Sequence, residues 1–231
     1  TYLVCKQARQ KVTVAISGDG GDEIFGGYNR YFWSSRIWNK ISWMSPSLRK
    51  IFGTTLNKIP ISTLSHIGNQ FNKFAPPSSG IDNFPDKVNK MAQRLKEVTN
   101  EDELYTSLVS QWNNPSELIR GDYNFNVDNL NETSLEDQAS KMMYWDSISY
   151  LPDDILCKVD RASMAVSLET RAPFLDHELV ELAWRLPIET KIENNTGKIV
   201  LRKILNEYIP NNLIDRPKAG FGIPVGDWLR G

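Results

Sequence analysis

The sequence is poor in the residues that most metal centres and secreted scaffolds require. Only two of its 231 residues are cysteine and only two are histidine. Cys5 and Cys157 lie far apart without C-x-x-C spacing, so we expect free thiols in a reducing, cytoplasmic setting. His66 and His177 have no partners at ligand spacing, and no zinc site can be drawn. No run approaches the roughly 18 apolar residues of a membrane span, so no membrane partner is expected.

Excess charge of either sign is also absent. The 27 basic and 28 acidic residues give a net charge of −1, which provides no general attraction to nucleic acid. Tyr28 to Lys50 does interleave aromatic and basic residues, as single-strand binders do. Its tryptophans do not line one helix face, however, so a packed helical segment is favoured. The stretch from Ile24 to Ile81 lacks acidic residues and carries seven basic ones.

The most informative stretch is Val12-Thr-Val-Ala-Ile-Ser-Gly-Asp-Gly-Gly-Asp-Glu-Ile-Phe-Gly-Gly-Tyr28. Its first five residues, to Ile16, form an apolar run rich in β-branched side chains, which predicts a buried strand. The glycines that follow allow the backbone to turn tightly and approach a ligand. Asp22 and Glu23 suit the first turn of a helix. Strand, glycine turn and helix together predict a ligand site at the end of an α/β strand.

This turn is neither of the common phosphate-binding motifs. It has no Gly-Lys-Ser/Thr, and its glycines do not follow the G-x-G-x-x-G spacing. Asp19, Asp22 and Glu23 would repel bare phosphate, so a nucleotide here would need a divalent cation, most simply Mg²⁺, on these hard oxygen ligands. The alternative, a glycine turn with a solvated acidic helix start, stays open on chemistry alone.

The rest of the chain is predicted to be mostly helical. One helix runs from Gln138 to Leu151 and stops near Pro152, because proline breaks helix interiors. Another begins after Asp176, a typical N-cap residue.

Four stretches in this order resemble the glutamine-hydrolysing asparagine synthetase B family. They are Ser17-Gly-Asp-Gly-Gly-Asp-Glu-Ile-Phe-Gly-Gly-Tyr28, Leu151-Pro-Asp-Asp-Ile-Leu-Cys-Lys-Val-Asp-Arg-Ala-Ser-Met164, Glu169-Thr-Arg-Ala-Pro-Phe-Leu-Asp176 and Arg216-Pro-Lys-Ala-Gly-Phe221. The resemblance implies an α/β fold of the adenine-nucleotide α-hydrolase-like, pyrophosphate-loop ATPase type. Residues 1–231 would be the C-terminal portion of the synthetase domain, mostly α-helical, with one core strand at about 12–16. The sheet with its pyrophosphate loop and a glutaminase domain would precede residue 1, and the fragment alone would be inactive.

The resemblance also implies roles for individual residues. Asp22 matches the family's metal-holding aspartate, and Ser17 and Gly18 match positions that contact the adenylate, with ATP and Mg²⁺ as cofactors. Lys218 matches a lysine that meets the adenylated carboxylate, and Asp19 falls at a catalytic position. Asparagine-forming members usually have glutamate at that position and β-lactam-forming relatives have tyrosine.

The function implied is therefore ATP-dependent adenylation of a carboxylate followed by transfer of glutamine-derived ammonia. Asp19 weakens the inference that free aspartate is the acceptor, because aspartate is one methylene shorter than glutamate. The alternative is a uronic acid or another carboxylate in surface-polysaccharide synthesis. A catalytically inactive helical scaffold is the alternative of a different class. The partners expected are the carboxylate substrate and ammonia, with a homodimer left open.

Overall fold

The computed structural model of the chain describes residues 1–74, 84–110, 134–210, 213 and 225–230. Most of them are helical. The helices are α1 (Tyr2–Arg9), α2 (Gly21–Phe25), α3 (Arg30–Ile41), α4 (Pro46–Asn57), α5 (Ile61–Phe74), α6 (Phe84–Glu97), α7 (Glu101–Val109), α8 (Gln138–Trp145), α9 (Cys157–Met164), α10 (His177–Arg185), α11 (Ile188–Lys191), α12 (Ile199–Asn206) and α13 (Val225–Arg230). Among these residues, no helix combines the length and the apolar character needed to cross a membrane.

The predicted strand is present as β1 (Val14–Ile16), but it is not buried, because Val14 and Ile16 are exposed among the described residues. The prediction of a single core strand is also wrong. A second strand, β2 (Glu169–Arg171), pairs with β1 in parallel, with Ala15 opposite Thr170. The Ser17 amide extends the pairing by donating to the Arg171 carbonyl at 2.8 Å. Glu-Thr-Arg carries no apolar alternation, which is why its pairing has no signal in the sequence. A separate antiparallel pair joins β3 (Ile192–Glu193) to β4 (Thr196–Gly197).

The predicted helix stop at Pro152 is also wrong. A π-helix, Asp146–Leu156, contains Pro152 and joins α8 directly to α9. Proline lacks an N–H and its ring clashes with the carbonyl four residues earlier in a regular α-helix. The wider i→i+5 turn relieves that conflict, so the chain passes through Pro152 without ending its helix.

Two apolar clusters enclose the short helix α2. The larger one comprises Tyr31, Tyr105, Met142, Met143 and Trp145, all buried. The smaller one joins Ile24 and Phe25 of α2 to Ala183 of α10. Because α2 contacts α8, α10 and α12, elements distant in sequence fix the helix that follows the glycine turn.

A buried carboxylate lies inside the larger cluster. Asp146 is fully buried and accepts hydrogen bonds from the hydroxyl groups of Tyr31 at 2.5 Å and Tyr105 at 2.8 Å. Arg30 completes the group, with its Nη2 atom 2.7 Å from Asp146 Oδ2. The Arg30 guanidinium also lies over the Tyr28 ring, 4.1 Å from its centroid. These contacts satisfy the buried charge and tie α3 and α7 to the start of the π-helix.

We expect Asp146→Ala to lower the free energy of unfolding by about 3–5 kcal/mol, because it leaves the mostly buried Arg30 without its counter-charge. Chemical denaturation of the full-length protein measures the change. Asp86→Ala is the matched control, since Asp86 is exposed and pairs with the exposed Lys90 at 3.6 Å. It should cost less than about 1 kcal/mol. Equal losses in the two variants would contradict a structural role for the Asp146 network.

Candidate functional site

The candidate site is the turn of residues 17–20, which connects β1 to α2. The turn begins where β1 and β2 both end, and this is the edge of a parallel sheet where ligands of α/β proteins bind. The Ser17 hydroxyl oxygen is buried and has no hydrogen-bond partner among the described residues. An added Cβ at Gly18 would meet open space within 4 Å. The turn therefore offers an unused hydroxyl beside a glycine that leaves room for another molecule.

The segment that follows β2, Pro173–Leu175, packs directly against this turn. Gly20 adopts φ +88°, and a side chain at this position would meet Leu175 Cδ2 at 2.5 Å. Leu175 and Phe174 belong to a 3₁₀ turn, Pro173–Leu175, and the Phe174 ring packs edge-on against Phe25 at 5.9 Å. Only glycine combines this backbone conformation with so close a neighbour. The stretch 169–176 is therefore the scaffold of the turn.

Asp22, on the exposed side of α2, forms an ion pair with Lys198. Asp22 Oδ1 lies 3.0 Å from Lys198 Nζ, and each side chain is about one-third exposed (33% and 32%). Gly27 lies directly against the pair, because an added Cβ there would overlap Asp22 Oδ1 and come within 2.5 Å of Lys198 Cε. The absence of a side chain at Gly27 is thus what leaves space for the ion pair.

Glu23 points the opposite way, into the protein. It is 1% exposed, and the Tyr28 hydroxyl donates to its Oε1 atom at 2.7 Å. Burial raises the pKa of Glu23, and the hydrogen bond from Tyr28 offsets part of that effect. Burial and the neighbouring Glu23 raise the pKa of the Tyr28 hydroxyl in turn, so it remains a donor. Glu23 therefore belongs to the core, although the sequence places it beside two site carboxylates.

The three carboxylates of the motif thus have different surroundings and do not form a ready-made metal cage. No group of three metal-ligating side chains converges within the described residues. Asp22 already holds a cation in the form of the Lys198 ammonium, and Gly27 leaves space around it. Mg²⁺ usually takes one or two protein carboxylates and completes its shell with water and phosphate oxygens. Asp22 fits that single-carboxylate role, whereas Glu23 does not.

The structure brings together four of the five residues that the sequence identifies as site candidates. Ser17, Gly18, Asp19 and Asp22 all lie in the turn or in the first turn of α2. The Asp19 carboxylate makes no hydrogen bond or ion pair with any side chain in the ranges the structure describes. Lys218 lies outside the described residues.

Sequence reasoning misses Lys198, which it does not identify as a site residue. The sequence offers only a weak signal, a Gly-Lys pair before an amphipathic helix. The structure adds that Lys198 adopts φ +60°. Tyr28 is missed as the partner of Glu23 for a similar reason, because only folding shows that Glu23 points inward.

Comparison with known proteins identifies the family. The family model described as asparagine synthase matches residues 1–231. The chain belongs to the asparagine synthase family. The expected resemblance is confirmed over the whole sequence.

Curated relatives agree with this assignment. The chain is 31% identical to "Asparagine synthetase [glutamine-hydrolyzing] 1" of Bacillus subtilis, over 99% of this chain and 33% of the relative. It is 30% identical to "Putative asparagine synthetase [glutamine-hydrolyzing]" of Mycobacterium bovis, over 99% and 32%. The chain therefore spans about a third of the length of these relatives. No solved structure matches it.

Gly197→Ala should destabilise the protein by about 1–3 kcal/mol, because the new methyl group overlaps the Gly26 carbonyl oxygen and must push two backbone segments apart. Gly18→Ala is the matched control, as its Cβ would meet nothing within 4 Å. That control should change the free energy of unfolding by less than about 0.5 kcal/mol. Urea denaturation of both variants measures the difference, and a Gly197→Ala variant as stable as the wild-type protein would refute the close packing at this position.

Glu23→Gln should remove a pH dependence of stability. Because the pKa of Glu23 in the folded protein is raised above 4.5, its ionisation favours the unfolded chain. The wild-type protein should lose stability relative to Glu23→Gln as pH rises from about 4.5 through the folded-state pKa, and the difference should then level off. Denaturation midpoints of both proteins between about pH 4.5 and 8 test this.

Glu207→Gln, at an exposed position, is the control for that titration. Its stability relative to wild type should stay within about 0.5 kcal/mol across the same range. A Glu23→Gln curve parallel to the wild-type curve would contradict burial of the ionised Glu23 carboxylate.

Proposed function

We propose that this chain is the C-terminal portion of the synthetase domain of an ATP-dependent amidotransferase. The observation that carries the proposal is the Ser17–Asp22 turn at the shared end of two parallel strands, in a chain of the asparagine synthase family. An unused serine hydroxyl, an open glycine and an exposed carboxylate with a cation converge there. These are the group types that a nucleotide and its metal ion require.

The proposed reaction has two halves. A substrate carboxylate attacks the α-phosphorus of ATP, forming an acyl-adenylate and releasing pyrophosphate. Ammonia then attacks the acyl carbon, the carbon–oxygen bond to AMP breaks, and the ammonia nitrogen loses a proton to give the amide. A bound Mg²⁺ would neutralise charge that builds on the leaving pyrophosphate.

Each site residue then has a distinct role in the proposal. Asp22 would hold the metal ion. Gly18 allows the nucleotide to approach the backbone, and the Ser17 hydroxyl donates to it. Asp19, within the turn, would lie near the acceptor and the attacking ammonia. Lys218 is a fixed cation close to the acyl-adenylate, where it stabilises developing negative charge.

The proposal allows two kinds of carboxylate acceptor for the amidation, aspartate and a sugar acid. Asp19 in place of the family's usual glutamate favours an acceptor other than aspartate. The seven basic residues between Ile24 and Ile81 would suit an acceptor that carries a phosphate group, but two of them have other partners in the structure. Arg30 is engaged with Asp146, and Arg49 is buried and donates to the Val98 carbonyl at 2.9 Å. Both guanidinium groups are therefore occupied by contacts within the protein, and neither is available to bind a phosphate-bearing substrate.

Ammonia would come from a glutaminase domain elsewhere in the protein. The names of the Bacillus subtilis and Mycobacterium bovis relatives describe them as glutamine-hydrolysing, and both are about three times as long as this chain. On this proposal residues 1–231 provide part of the synthetase site and depend on preceding segments for the remaining sheet.

The test supplies the full-length protein with ATP, Mg²⁺ and glutamine, together with aspartate or a panel of uronic acids, and measures AMP release. One acceptor should give turnover, and the product should be its amide. Lys218→Ala should lower turnover about 10²–10³-fold, as expected for loss of one preorganised charge. Lys11→Ala, at an exposed position in the part of the chain before β1, is the control and should retain full activity.

One result would overturn the proposal, and two others would revise its details. If ATP is not cleaved to AMP with any carboxylate, the chain has kept the fold without the activity, as the scaffold alternative requires. Near-normal turnover in Lys218→Ala would show that Lys218 does not have the charge-stabilising role assigned to it. Aspartate turnover that equals or exceeds that of every sugar acid would decide the acceptor in favour of asparagine formation.

A further inference from the structure

The Asp22–Lys198 ion pair has a second consequence that the proposed reaction does not use. Lys198 Nζ contacts Asp22 Oδ1 at 3.0 Å, so a positive charge already lies on the carboxylate that would hold the metal. The carboxylate oxygen cannot contact both an ammonium group and a divalent cation at full strength. The two cations therefore compete for Asp22.

The lysine is held in place by its backbone. Lys198 adopts φ +60°, and its amide donates to the Phe25 carbonyl at 3.0 Å, at the end of the helix that carries Asp22. An added Cβ at the preceding Gly197 would overlap the Gly26 carbonyl oxygen, so these two stretches of backbone are in direct contact. The lysine side chain thus starts from a fixed point beside α2, and only its methylene chain is free to move.

The pair is also accessible. Both side chains are about one-third exposed, so solvent and ligands reach them, and the ammonium is not locked into the interior. A lysine ammonium is a compact charge on a flexible stem, with three donors that it can transfer between oxygen atoms. It can leave Asp22 when a metal arrives with a nucleotide and pair with the incoming phosphate oxygens instead.

We propose that Lys198 is a positioning residue that occupies Asp22 and lowers the affinity of this carboxylate for divalent metal. The ammonium keeps the carboxylate paired and oriented until a metal ion displaces it. Metal alone is then bound weakly, whereas a metal carried by a nucleotide provides phosphate oxygens on which the displaced ammonium is neutralised. The inference uses the proposed nucleotide site but makes a separate claim about metal affinity.

The test measures Mn²⁺ binding to the full-length protein without nucleotide, by electron paramagnetic resonance of the free ion. Mn²⁺ is the probe because carboxylate sites bind it as they bind Mg²⁺. Lys198→Gln should bind Mn²⁺ about 3- to 5-fold more tightly than wild type, the upper part of the range expected when a partly exposed ion pair no longer competes. Lys198→Met should give the same gain, and Lys198→Arg should remain close to wild type because it keeps the charge.

Two controls separate local competition from a general change in charge. Lys203→Gln removes the same charge from an exposed position on α12, and its Mn²⁺ affinity should stay within about twofold of wild type. Asp22→Asn combined with Lys198→Gln should abolish the gain, because the carboxylate in question is gone.

The proposal is overturned if Lys198→Gln and Lys198→Met bind Mn²⁺ no more tightly than wild type. It is also overturned if Lys203→Gln gains as much, or if the gain persists without Asp22. Because the titration involves neither ATP nor turnover, a protein that fails to release AMP can still show the competition. Conversely, an active synthetase with unchanged Mn²⁺ affinity in Lys198→Gln would retain the proposed function and lose this inference.

Discussion

The parallel pairing of β1 with β2 is the constraint on which the site depends. β1 ends at Ile16 and β2 at Arg171, so the glycine turn and the 3₁₀ turn Pro173–Leu175 leave the same edge of the sheet. Parallel strands need a long crossover, and the helices between them provide it. The crossover brings Leu175 and Phe174 beneath Gly20 and Gly21, where no local sequence feature could place them. The shape of the turn is thus a result of contacts distant in sequence.

Helix α2 directs its two neighbouring acidic residues to two different environments. A helix places successive side chains about 100° apart, so Asp22 and Glu23 cannot face the same surface. Packing of Ile24 and Phe25 against α10 fixes the rotation of the helix about its axis. Glu23 is then directed inward to the Tyr28 hydroxyl, and Asp22 outward to Lys198. Adjacent carboxylates in a motif can therefore have unrelated roles, one in the core and one in the site.

Local signals in the sequence predict the parts of the structure that local forces determine. The position of the strand at residues 14–16, the glycine turn and the Asp176 cap are confirmed, although the strand is not buried as predicted. The Asp176 carboxylate accepts from the Glu178 amide at 3.0 Å. What the sequence misses depends on tertiary contacts or on a less common backbone. β2 has no apolar pattern and exists only by pairing with β1, and the helix through Pro152 requires a wider turn than the usual rule assumes.

The Lys198 contact illustrates why site residues are harder to predict than the motif that surrounds them. Its partner Asp22 is conspicuous, but the lysine reaches it only because Gly27 and Gly197 permit two backbone segments to touch. Each glycine considered alone predicts a turn. Considered together, two glycines that would each collide with the opposite segment indicate a close crossing of the chain. The backbone of the charged residue next to such a crossing is then held beside the carboxylate, and this keeps the ammonium of a partly exposed lysine within reach to compete with a metal ion.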